Sequence, residues 1–164
     1  MSSNTYIKFD TVKGESTDKG HADWIEILSW SHSFSQPASP IRSSAGSTVE
    51  RAQHSDLNIS KYIDSATDDL LGACWKGKQF EKVTLECFKS DGDNTPLKFL
   101  EIDLEDVIVS NFSISGGGGS LPMESISLSY SKVQYIYNAK NKDKGEQADG
   151  AQPISHDLKT NEVA

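Results

Sequence analysis

The sequence predicts a mainly β fold carrying one short α-helix. The first observation behind this is a run of four glycines at residues 116–119, a composition suited to a reversal between strands because glycine incurs no steric cost at positive φ. The second is that both flanks, residues 99–115 and 123–137, are rich in β-branched and aromatic residues and alternate in polarity, which is the mark of strands. The third is the spacing of Ser125, Ser127, Ser129 and Ser131 against Ile126, Leu128 and Tyr130, a period of two. Long antiparallel strands leave unpaired edges, and edges invite assembly.

The elements follow in order. Residues 5–9 read as an opening strand and 10–23 as a polar loop. Residues 23–30 read as a strand with Trp24, Leu28 and Trp30 on one face and Ile25 and Ile27 on the other. A strand apolar on both faces is expected to be covered on both, by the core and by a helix or a neighbouring subunit. Residues 31–48 hold Pro37, Pro40, Gly46 and many serines, a structureless stretch of a length that is usually functional in a compact domain. Residues 57–63 return to strand alternation. The helix starts at Thr67 as its cap, carries Asp68 and Asp69 in its first turn, presents Leu70, Leu71, Cys74 and Trp75 as its apolar stripe and stops at Gly77. Residues 83–88 form another strand, and residues 91–94 supply turn chemistry. In 123–137 the apolar phase changes near Ser131 and Lys132, predicting a bulge or strong bend. Residues 1–137 are read as the domain and 138–164 as a C-terminal segment, mobile apart from a short last strand at 154–158.

The chain has 164 residues and a net charge of −8, one domain on length and an acidic one, which disfavours nucleic acid. Two cysteines, Cys74 and Cys87, are too few for a disulfide framework and read as buried thiols. No apolar run approaches a membrane span, and the N-terminus lacks the features of a cleaved signal, so synthesis in the cytosol and any export without a leader are expected.

The residues point away from catalysis. His21, His32, His54 and His156 match no zinc spacing. Residues 91–95 lack the sixth-position glycine and twelfth-position glutamate of a calcium loop. The glycine run is followed by a strand rather than by Lys and a helix, so it is no phosphate loop. Glu101, Asp103 and Glu105 share a strand face, and their spacing of about 6.6–7 Å falls within the roughly 5–9.5 Å of paired glycosidase carboxylates, but a solvated face is the commoner meaning of such a pattern. No metal, cofactor or catalytic residue is expected. The face formed by Ser125, Ser127, Ser129 and Ser131 has two readings, a plain solvated sheet face or a small, uncharged, non-adhesive wall lining a channel.

Several segments, in order, resemble one family. Residues 6–10 (YIKFD), 13–18 (KGESTD), 20–31 (GHADWIEILSWS), 48–56 (TVERAQHSD), 61–64 (KYID), 86–88 (ECF), 107–119 (VIVSNFSISGGGG), 121–124 (LPME) and 127–130 (SLSY) are together similar to Hcp, the tail-tube subunit of bacterial type VI secretion systems. His156 stands where the family more often has an aromatic residue, and Ala45 where it more often has glycine. The resemblance implies a two-sheet β-barrel with one short helix on the side, assembling into a hexameric ring. Rings would stack into a tube driven by a sheath behind a spike protein, carry or chaperone small effector proteins, and be secreted themselves. It places ring-stacking contacts in the loop containing Pro37, Pro40, Ile41, Arg42 and Gly46, with Ser125, Ser127, Ser129 and Ser131 as candidate lumen-facing residues. Neither nucleic acid nor membrane insertion is implied. The rival readings are a carbohydrate-binding β-sandwich module using Trp24, Trp30 or Trp75, and a hydrolase, although the length leaves no room for an appended effector domain.

Overall fold

The computed structural model of the protein describes residues 3–37, 51–90, 96–138 and 153–164. Its strands are β1 (Ser3–Phe9), β2 (Ile25–Ile27), β3 (Ser29–Ser31), β4 (Phe34–Ser35), β5 (Gln53–His54) and β6 (Leu57–Tyr62). The helix α1 (Thr67–Lys76) follows, then β7 (Gln79–Ser90), β8 (Pro96–Ser115), β9 (Met123–Ser129), β10 (Lys132–Tyr137), β11 (Ile154–Asp157) and β12 (Glu162–Val163).

Strand β8, 20 residues long, is the spine. One edge pairs with β7 from Pro96 to Ile108. The other pairs first with β10, from Leu100 to Glu105, and then with β9, from Ile108 to Ser115. The switch falls at Asp106, a non-glycine residue at φ 53°. Its carboxylate accepts hydrogen bonds from Ser131 (2.8 Å) and Lys159 (2.6 Å), which tie down this unusual backbone. Two sheets therefore share β8. The first runs β12-β11-β10-β8-β7-β1-β2, and the second joins the far half of β8 to β9, β6 and β3. They meet again between β2 and β3. There the ladder is interrupted at Leu28, so the barrel is not a closed hydrogen-bonded cylinder, although the Leu28 N–H donates to the Ser60 carbonyl (2.7 Å).

Between the sheets lies one core. Ile7, Phe9, Leu85, Ile102 and Leu104 come from the first, Leu57, Ile59, Ile126 and Leu128 from the second, and Leu70 and Ala73 from α1. The alternation read from the sequence is the physical cause, since only one parity of each strand can face inward.

Four expectations are corrected. The predicted strand 23–30 breaks at Leu28, and the break flips the phase: Ile25 and Ile27 face the core in β2, but Trp30 does so in β3. Leu28, expected to be covered, is 51% exposed. Thr67 does not cap the helix. The N-cap is Ala66, and the Thr67 hydroxyl instead donates to Glu124 (2.6 Å) and accepts from the Asp64 N–H (3.1 Å). Trp75 is not on the buried stripe but 79% exposed, because it stands about 140° round the helix from Leu70. The run 123–137 is two strands rather than one. Tyr130 and Ser131 form the bend between them, where the phase change had been read.

Gly77 ends the helix at φ 65°, as expected. The last strand pairs with β10, and a further strand, β12, follows it. Pro40, Ile41, Arg42 and Gly46, the turn at 91–94 and the tail at 139–152 lie outside the described residues.

Candidate functional site

The outer face of the second sheet is built from small uncharged residues. Cross-strand register sets them in rows. Ser29 stands opposite Ser60, Ser60 opposite Ser125, and Ser125 opposite Ser113. In the next row Ser31 faces Asn58, Asn58 faces Ser127, and Ser127 faces Asn111. Ser129 follows, opposite Ile108. The Ser127 hydroxyl donates to Asn58 Oδ1 (2.5 Å), so the wall is stitched across its strands. These rows contain no ionisable group, in a chain that is 24% charged, although the Asp56 carboxylate borders them, accepting from the Ser110 hydroxyl (2.5 Å).

The first sheet presents the opposite character. Lys82 lies across from Glu105, Thr84 from Asp103 and Glu86 from Glu101, while Glu105 also faces Lys132. Lys98 reaches Glu101 (2.7 Å) and Glu86 (3.8 Å). Burial, and then the neighbouring Glu101, push the Asp103 carboxyl above its usual range. Glu101, Asp103 and Glu105 do share a face, as read from the sequence, but Glu101 is engaged by Lys98 and Asp103 by the Thr84 hydroxyl (3.0 Å).

Of the four predicted wall residues, the structure brings together Ser125, Ser127 and Ser129. Ser131 is separated from them in the bend, where its hydroxyl serves Asp106. Sequence reasoning missed Ser29, Ser31, Asn58, Ser60, Asn111 and Ser113. Their alternation was visible in part, but strand pairing was needed to join them. Pro37 is half-buried. The three tryptophans form no shared platform: Trp24 packs edge-on to His21, Trp30 packs on the core, and Trp75 is exposed on α1.

Several segments behind the family resemblance are buried polar networks. Lys61 and Glu124 have fully buried side chains 2.7 Å apart, and Lys61 also reaches Asp64 (2.7 Å). Glu124 Oε2 lies off the hydrogen-bond direction of the Lys61 ammonium, so that contact is ionic, while Oε1 accepts from Thr67. His21 is stacked on Tyr6, with Asp18 and Glu86 each 2.8 Å from one of its ring nitrogens. Among the described residues no group of His, Cys, Asp and Glu is arranged to hold a metal ion, and no helix is long and apolar enough to cross a membrane.

A mainly β barrel of two sheets sharing one long strand, with one helix among the described residues and an outer face of serine and asparagine rows, has the architecture of a structural protein. The chain belongs to the type VI secretion Hcp family: the family described as "Type VI secretion system effector, Hcp" matches residues 6–137. A curated relative, "Protein hcp1" of Pseudomonas aeruginosa, is 36% identical over 144 residues, spanning 87% of this chain and 88% of its own. The "Major exported protein" of the same organism is 22% identical over 131 residues, spanning 76% of this chain and 74% of its own. A solved type six secretion system protein superposes with a TM-score of 0.91 at 31% identity, covering 99% of this chain and 100% of its own. Hcp1 from Salmonella typhimurium superposes at 0.79 with 26% identity, covering both chains fully. The family is one of secreted type VI structural proteins rather than enzymes.

Proposed function

We propose that the chain is a subunit of the type VI secretion inner tube: six copies close into a ring, rings stack, and the hollow centre carries small effector proteins. The observation that carries this reading is the uncharged wall of Ser29, Ser31, Asn58, Ser60, Ser125 and Ser127. Hydroxyls hydrogen-bond water readily and offer neither ionic nor apolar grip, so a wall made of them lets a cargo pass. Beside it lies a groove of about 380 Å³ whose lining includes Leu28, Tyr62, Ile63 and Leu121. These side chains are 39–63% exposed, and a neighbouring copy would cover them. A closed ring also removes the free edge of β8 beyond Ile108. Spike protein and sheath are the further partners, and export without a cleaved leader completes the reading. The segment with Pro37, Pro40, Ile41, Arg42 and Gly46 is proposed to join stacked rings.

Light scattering tests the ring. A mass six times 17.9 kDa, with each interface near about 1,200–2,000 Å², is expected; a monomer at micromolar concentration overturns the proposal. Deleting residues 37–47 is expected to spare rings and abolish tubes in micrographs. Ser129→Arg is expected to leave folding unchanged and alter effector co-purification, and an unchanged cargo yield returns that face to plain solvation.

A further inference from the structure

Three of the four histidines, scattered through the sequence, meet in one continuous chain. His32 Nδ1 lies 2.5 Å from the Tyr135 hydroxyl and its Nε2 lies 2.7 Å from that of Tyr130. The Tyr130 oxygen is 2.8 Å from His54 Nδ1, His54 Nε2 is 2.8 Å from His156 Nδ1, and His156 Nε2 is 3.0 Å from Asn161 Oδ1. With all three rings neutral, donor logic then assigns every proton. Asn161 Oδ1 only accepts, so His156 carries its proton on Nε2 and accepts at Nδ1. His54 must therefore donate from Nε2 and accept at Nδ1 from Tyr130. Tyr130 in turn accepts from His32 Nε2, and His32 accepts from Tyr135. In that state each ring carries its proton on Nε2, and all donors run in one direction.

The chain bridges two parts of the fold that share no ladder. His32 and His54 flank and belong to the small β4–β5 sheet, whose registers are Phe34 to His54 and Ser35 to Gln53. Tyr135, His156 and Asn161 belong to β10, β11 and the turn after it. Phe34 closes over it, with its ring 4.3 Å from that of His32 and 5.0 Å from that of His54. With only two residue pairs of its own, the β4–β5 sheet is held on β10 and β11 by this chain together with the Phe34 ring, 5.8 Å from that of Tyr135.

We propose that the Tyr135–His32–Tyr130–His54–His156–Asn161 chain is an acid-released clamp that holds the β4–β5 sheet on the barrel. The weak link is the His54–His156 pair. One added proton on His156 is absorbed only if every donor in the chain reverses, from His54 through Tyr130 and His32 to the Tyr135 oxygen; a second makes His54 and His156 adjacent cations with N–H set against N–H across 2.8 Å. Burial, the neighbouring His156 and Arg51 all hold His54 below the usual histidine range. Burial holds His32 near 4, opposed by the Ser55 backbone and by Asp56, with His54 adding to the lowering. Arg51 and Asp56 are thus the charged neighbours, and Cys87 faces Tyr135 from β7.

Two measurements test the clamp on the intact protein. Nitrogen-15 NMR at about pH 7.5 should show the Nε2–H tautomer at His32, His54 and His156. Hydrogen-exchange protection factors of the β4–β5 amides should fall by about tenfold or more from about pH 7.5 to pH 4.5, while the β7–β8 ladder keeps its protection. A His54→Gln/His156→Gln variant, which can donate and accept but does not titrate, should keep β4–β5 protection at both values. Constant protection in the unmodified protein, equal loss in the variant, or an Nδ1–H tautomer at His54 would overturn the clamp. The consequence for stacking rests on the function proposed above: release of β4–β5 with tubes of unchanged length would uphold the clamp and refute the stacking role of residues 37–47.

Discussion

Replacing Lys61 by Met removes the cation from a wholly buried carboxylate. Lys61 and Glu124 have no exposed side-chain surface, whereas Asp64, the second partner of Lys61, is 13% exposed and also accepts from the Ala66 N–H. Asp64 therefore keeps a partner and some water, while Glu124 retains only the Thr67 hydroxyl. Removing one member of a buried pair costs about 3–5 kcal/mol. Against a typical domain stability of roughly 5–15 kcal/mol, Lys61→Met is expected to bring unfolding close to ordinary temperatures. Deleting both charges with Lys61→Met/Glu124→Leu removes the stranded carboxylate, leaving Thr67 without its acceptor and the Tyr62 carbonyl and part-exposed Asp64 without the ammonium, so the double variant should recover to within about 1–2 kcal/mol of the parent. Urea unfolding at matched protein concentration, followed by fluorescence of the partly buried Trp24 and Trp30, measures all three. A single variant that costs under about 1 kcal/mol, or a double variant no more stable than the single, would refute the account of Lys61 as the neutralising partner of Glu124.

Gly14→Ala should destabilise by about 1–3 kcal/mol, because a Cβ there would sit 2.8 Å from the Ile25 Cα and closer still to the Trp24 backbone; thermal melting measures it. Burial raises the Cys87 thiol, so a thiol reagent at mildly alkaline pH should label the half-buried Cys74 first and Cys87 only on unfolding. His32 is depressed to about 4 in the fold from an ordinary value of about 6.5. The unfolded chain then binds the extra proton between these values, so His32's contribution is intact above pH 6.5 and is lost as the pH falls toward 4. Denaturation midpoints across that range should decline, and His32→Phe should flatten the decline. A Lys159→Met change at the exposed Asp106 pair should leave the urea unfolding midpoint almost unchanged.

Much of the fold was legible because it depends on local pattern. The period-two runs, the glycine hairpin, the Gly77 stop and the phase change near Ser131 all express neighbours along the chain, and the strands they predict are present. The misreadings share a cause. Thr67 has the chemistry of a cap, yet Glu124, 57 positions away, competes successfully for its hydroxyl. Trp75 fits an apolar stripe by composition, but the position of the core selects Ala66, Leu70 and Ala73. The break at Leu28 reverses the parity of Trp30 and turns Ser29 and Ser31 outward, which no single-strand alternation could reveal. A third of the wall was therefore visible as a serine repeat in β9, and the rest awaited its pairing from β3, β6 and β8.

The sequence by itself determined the class of fold, the helix that ends at Gly77 and the family. Hydrophobic period and turn chemistry act over a few residues, and ordered motifs survive without coordinates. Tertiary structure alone decided which face carries the serine and asparagine rows, which carboxylate is buried with which lysine, and that His32, His54 and His156 join one hydrogen-bonded chain. Those are contacts between residues tens of positions apart. They exist only because β8 bends at Asp106 and brings two sheets over one core.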